Sequence, residues 1–117
     1  MSDESKDYEG WVNYKTWAVN LGLANDYGSY QYWQESAREC AEDATADRIF
    51  TRRENAVKAL AERLKNEIEE GSPIEDASLY SDLLTAALSD VDWHEIAESW
   101  IEDNAEDILS DAALLQP

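Results

Sequence analysis

The chain has one cysteine, one histidine, two prolines and four glycines in 117 residues, and no lysine or arginine follows Lys65. Each shortage excludes something. Cys40 cannot close an internal disulfide, and together with His94 it falls short of the three or four N or S ligands of a zinc centre. A serine or cysteine nucleophile would have His94 alone as its base, and no glycine-rich phosphate loop is present. No apolar run approaches the roughly 18 residues of a membrane-spanning helix, and the N-terminus lacks the basic-then-apolar order of a signal peptide. The expectation is a soluble, cytoplasmic, non-enzymatic protein with no cofactor, no metal and no membrane contact.

Two near-motifs fail on inspection. WHEIAE, around His94, has the first His and the Glu of a zinc-protease helix, but Glu98 stands where the second His is needed. Asp90, Asp92 and His94 have the spacing of a calcium loop without its glycine at the sixth position, and Ile101 occupies the place of the bidentate Glu. Paired carboxylates can perform acid–base work, but among 27 acids such pairs arise unavoidably and identify nothing.

Hydrophobic residues make up 44% of the chain, with five Trp and six Tyr, enough apolar area to offset the entropy of ordering it. At this length one domain is expected. Charge is the strongest signal, at 27 acids against 9 bases for a net −18. Residues 1–65 hold 12 acids and all nine bases, whereas residues 66–117 hold 15 acids and no base. A surface so charged repels nucleic acid and anionic lipid and attracts basic partners, so direct nucleic-acid binding is not expected.

Periodicity predicts an all-α bundle of about five helices over 11–117, after a flexible acidic tail at 1–10. Asn13 suits an N-cap, with Val12 packing on Trp17 as a hydrophobic staple and Tyr14, Trp17, Ala18 and Leu21 as the buried stripe. Asn25, Asp26 and Gly28 end that helix, and Ser29 caps a second with Tyr30, Trp33, Ala37, Cys40, Ala41 and Ala44 on one face. Thr51 and Glu54 form a capping box for a third helix, which carries Val57, Leu60, Ala61, Leu64 and Ile68 and stops at Gly71. Ser72, Pro73 and Glu75 fit the start of a fourth, although Asp76 to Ser78 could instead begin its regular part, with Leu79, Leu83, Leu84, Ala87 and Leu88 as its stripe. Asp92 and Glu95 cap a fifth, whose apolar side is Trp93, Ile96, Ala97, Trp100 and Ile101, extending toward Leu109. No alternating run of strand length and no fixed-period repeat occurs.

The stretch WVNYKTW at 11–17, followed by Asn25 and Asp26, resembles the start of small uncharacterised proteins of phages, plasmids and haloarchaea. The resemblance implies genomic company rather than chemistry: mobile elements, which often encode acidic antagonists of host defence, and salt-loving hosts. It carries no catalytic residue onto this chain.

Three explanations of the acidity follow. The first is a DNA mimic, an inhibitor of the anti-restriction or anti-CRISPR type, whose partner is a basic nucleic-acid-binding protein of the host. Size scaling gives a diameter of roughly 35 Å, so −18 amounts to about one charge per 2 Å, near the roughly one per 1.7 Å of duplex DNA. Glu95, Glu98, Glu102 and Glu106 would form a row, with Asp103 and Asp107 beside them, as the partner-binding face. Of the aromatics, Tyr14 and Trp17 are expected in the core, whereas Trp11 and Tyr32 fall off the stripes and are the candidate contacts. The second explanation is adaptation to high salt, in which acidity is a property of solvation. In the third, a helix bearing Arg48, Arg52, Arg53, Lys58, Arg63 and Lys65 docks on the acidic half of a second copy, giving a homodimer.

Overall fold

Side chains that seize the first free N–H groups set where the helices begin. In the computed structural model, which describes residues 9–71 and 79–114, Asn13 Oδ1 accepts from Thr16 N, Asp26 from Ser29 N and Asp92 from Glu95 N. Thr51 and Glu54 complete the expected capping box. The described residues form six helices and no strand: α1 (Tyr14–Asn25), α2 (Tyr27–Asp43), α3 (Arg52–Glu70), α4 (Leu79–Ser89), α5 (Trp93–Asn104) and α6 (Glu106–Leu114). The all-α class is as expected, and α2 is capped by Asp26 three residues before Ser29. The proposed start at Ser72, Pro73 and Glu75 lies outside the described residues, as does the expected tail through residue 8.

The core lies where α5 packs against α3 and α2. Ser36, Ala37, Cys40 and Ala41 give α2 a low buried surface that lets its neighbours approach closely, and burial pushes the Cys40 thiol up. Leu60, Leu64, Ile96 and Ile101 are almost wholly enclosed, each contributing about 1.5–3 kcal/mol of burial. Trp33, Trp93 and Trp100 fill the remaining volume.

Three expectations are corrected. The α1 stripe faces the other way: Thr16 and Leu23 are buried, whereas Tyr14 and Leu21 are 54% and 41% exposed. What turns the helix is polar, because the Thr16 hydroxyl accepts Asp92 N at 2.9 Å and Asn20 accepts the Trp100 indole N–H at 2.6 Å. On α4, Leu79 and Leu83 stand exposed while Leu88 reaches the core. The fifth helix, expected to extend toward Leu109, stops at Asn104. There the Asn104 side chain bonds back to Trp100 O, and Arg38 takes the Asn104 carbonyl at 2.7 Å. Buried Ala105 caps the break, and α6 starts as a separate helix.

Candidate protein-binding surface

On α5 the buried stripe Trp93, Ile96, Ala97, Trp100 and Ile101 turns the acids to the opposite side, where Glu98, Glu102 and Asp103 are exposed and Glu95 is half-buried. Glu95 Oε1 accepts the backbone N–H of Val12 at 3.0 Å, pinning the entry to α1 against α5. Just before it, Glu9 and Gly10 adopt left-handed conformations with φ of 51° and 89°, and the second of these suits glycine. The result is an open groove of about 340 Å³ lined by Glu9, Gly10, Trp11, Glu95, Glu98, Ser99 and Glu102. Trp11 and three of the expected carboxylates therefore share one surface feature.

Glu9, Gly10 and Ser99 were not anticipated there. Glu9 and Gly10 belonged to the expected flexible tail, and the only local signal was a glycine before an aromatic cluster. Asp103 borders a smaller hollow of about 110 Å³ with Asn20, Tyr30 and Trp100 among its walls.

The remaining expected residues lie elsewhere. Glu106 opens α6 and pairs with Arg53 of α3. Asp107 takes a two-pronged contact from Arg38 at 2.9 and 3.0 Å, and that guanidinium holds its carboxyl below the usual carboxylate range. The anticipated row of four glutamates thus ends at Glu102, and the two acids beyond the break tie α6 to α2 and α3. Tyr32 donates its hydroxyl to the Glu67 carboxylate at 2.7 Å, which pushes the phenol above its ordinary value, and it does not line the groove.

The bases of α3 are largely committed within the chain. Arg52 closes the end of α2 by bonding Ala41 O and Ala44 O, Arg63 meets Glu39, Lys65 meets Glu69, and Lys58 sits 4.5 Å from the Phe50 ring centroid. Among the described residues, no three His, Cys, Asp or Glu side chains are arranged to hold a metal ion. No helix among the described residues is long and apolar enough to cross a membrane.

Size tempers the electrostatic comparison. The longest extent is 57 Å rather than roughly 35 Å, so eighteen charges average about one per 3 Å, sparser than duplex DNA. What stays dense is local: Glu98 and Glu102 one helical turn apart, with Glu9 and Glu95 lining the same groove.

The sequence model of DUF7249, a family of unknown function, matches residues 4–111. No curated protein and no solved structure matches the chain.

Proposed function

The chain belongs to DUF7249, a family of unknown function, and from its surface we propose that it is a non-enzymatic binding protein that occupies a nucleic-acid-binding face of another protein. The observation that carries this reading is the groove in which Trp11 stands beside Glu9, Glu95, Glu98 and Glu102. A guanidinium or ammonium group that normally meets phosphate finds carboxylates there, held by a folded helix, and an aromatic face beside them. The lack of any Lys or Arg from residue 66 onward supports it, because that half brings fifteen carboxylates and no cation of its own. In this reading the partner is a basic DNA-handling or nucleic-acid-guided defence protein, the chain is carried by a mobile element, and it acts in the host cytoplasm.

The experiment is capture from a lysate of the source cell, followed by asking whether the recovered protein binds duplex DNA and whether added chain displaces it. Recovered proteins that do not bind nucleic acid would end the mimic reading.

Salt adaptation is the second reading, and one observation favours it. Exposed acids also cover α2 and α3, at Glu35, Glu39, Glu42, Asp43, Glu62 and Glu67, well away from the groove. A docked homodimer through α3 has less support, since Arg52, Arg53, Arg63 and Lys65 already serve the chain's own contacts.

A further inference from the structure

The connection between α2 and α3, residues 44–51, is held by its own hydrogen bonds. Asp47 Oδ1 accepts the N–H groups of Ile49 and Phe50, both at 2.8 Å, while Asp47 N donates to Phe50 O at 2.9 Å. Asn55 reaches back from α3 and donates to Thr45 O at 2.7 Å. Lys58 covers a face of the Phe50 ring. These contacts engage the loop's polar groups and leave two side chains standing in solvent, Arg48 and the 79% exposed Ile49.

Arg48 differs from its fellow bases. Every other base at a described position meets a carboxylate, a backbone carbonyl or the Phe50 ring, whereas Arg48 meets none of these among the described residues. A fixed loop that presents an aliphatic side chain beside an uncommitted guanidinium loses little freedom when it binds. Its complement is a surface with carboxylates and an apolar face side by side. A bare phosphate backbone has the charge but nothing to cover Ile49. The groove on α5 has both, in Glu98 and Glu102 one helical turn apart and the Trp11 ring beside them. Neither of these two carboxylates pairs with a base among the described residues. Arginine suits the arrangement because its plane stacks on an indole while its edge bonds a carboxylate. Two copies at −18 repel one another in most orientations, and the loop, with Arg48, Arg52 and Arg53 around it, is the end that an acidic face repels least.

We propose that the α2–α3 loop of one copy seats in the α5 groove of a second, with the Arg48 guanidinium between Glu98 and Glu102 and Ile49 against Trp11. The contact joins two different patches and is therefore heterologous. It covers the surface assigned above to a foreign partner, so self-association keeps the groove closed until a tighter-binding protein displaces the loop. This inference rests on reading the groove as a seat for a cation, and it does not depend on what that foreign protein is.

Sedimentation equilibrium of the full chain at about 0.15 M salt tests it. Wild type at concentrations on the order of 100 µM is expected to sediment above its monomer mass of 13.3 kDa. Arg48→Glu is expected to be monomeric, and so is the double variant Glu98→Lys with Glu102→Lys. Mixed in equal amounts, these two are expected to form a one-to-one complex, because each retains the surface that the other lacks. Ile49→Ser, which keeps every charge, is expected to weaken association several-fold. Net repulsion alone gives a different pattern, since the double variant is the less acidic chain and would then associate more than wild type. A wild type that remains monomeric overturns the proposal, as does a mixture that stays monomeric or a double variant that associates as well as wild type. Capture of the foreign partner reads separately, because Arg48→Glu keeps the groove intact. Capture by a chain that never self-associates would sink this inference alone, and self-association without capture would sink only the mimic reading.

Discussion

Val12 donates its backbone N–H to Glu95 Oε1 at 3.0 Å across 83 residues of sequence, so a carboxylate of the groove also fastens the segment entering α1 to α5. The two roles are separable. Glu95→Gln keeps an acceptor oxygen and removes the charge, whereas Glu95→Ala removes both. A lost hydrogen bond of this kind costs about 0.5–1.5 kcal/mol. Glu95→Ala is therefore expected to lower the melting temperature by a few degrees and Glu95→Gln by much less, while both weaken partner binding. Equal thermal losses in the two variants would show that charge, not the bond, anchors the segment.

Helix starts were legible because they rest on local chemistry: Asn13, Asp92 and the Thr51–Glu54 pair act on N–H groups three residues away. The stripes of α3 and α5 were legible too, since apolar residues of one period leave a single face to bury. Helix α1 was not, because Tyr14, Trp17 and Leu21 offer one apolar face, and the packing that won is led by Thr16 and Asn20, whose partners Asp92 and Trp100 lie 76 and 80 residues away. The end of α5 is not legible for a similar reason, resting on Arg38 and Gln34 reaching Asn104 from α2. Of the expected binding residues, Glu95, Glu98, Glu102 and Trp11 meet at one groove, whereas Asp103 borders a separate hollow. Glu106 and Asp107 are diverted by arginines whose approach no local pattern announces.

Thr16 is fully enclosed, and its hydroxyl oxygen is the acceptor for the N–H that opens the turn into α5. Thr16→Val, nearly isosteric, strands that N–H at a cost of about 1–3 kcal/mol. Thr16→Ser keeps the acceptor and is expected to lose less. Chemical denaturation of the two variants decides the matter, and equal midpoints would mean that the methyl group rather than the oxygen matters at this site.

Acid should release α6. Asp107 is held below the usual carboxylate range by Arg38, and Asp47 by the N–H groups of Phe50 and Ile49. A depressed folded value means that the stabilisation is present above the unfolded pKa of about 3.9 and is lost as pH falls through the lower folded value. The melting-temperature difference between wild type and Asp107→Asn is thus expected to be steady above about pH 5 and to shrink toward zero as pH falls through the depressed folded value. A difference that grows on acidification would contradict the assignment.

Lowering salt distinguishes a specific acidic surface from a general adaptation to brine. The Debye length grows from roughly 3 Å at 1 M to 10 Å at 0.1 M, so a chain adapted to brine loses helix through self-repulsion on dilution. The binding reading expects circular dichroism to be unchanged between the two. A large loss of helical signal at 0.1 M would transfer the acidity to solvation.

The central claim is that the groove side of α5 holds the face of a protein that otherwise holds DNA. Two charge-reversed variants test it, chosen to spare the acids engaged by Arg38, Arg53 and Arg63. One reverses Glu98, Glu102 and Asp103 to Lys on α5, and the other reverses Glu35, Glu42 and Asp43 on α2. Lys and Glu have similar helix propensities, so both should stay folded. The decisive measurement is displacement of duplex DNA from the captured partner by wild type and by each triple variant, at one fixed salt concentration. The account predicts displacement by wild type and the α2 variant, with loss of a hundredfold or more for the α5 variant, equivalent to about 2.7 kcal/mol. Displacement retained by the α5 variant and abolished in the α2 variant would contradict it.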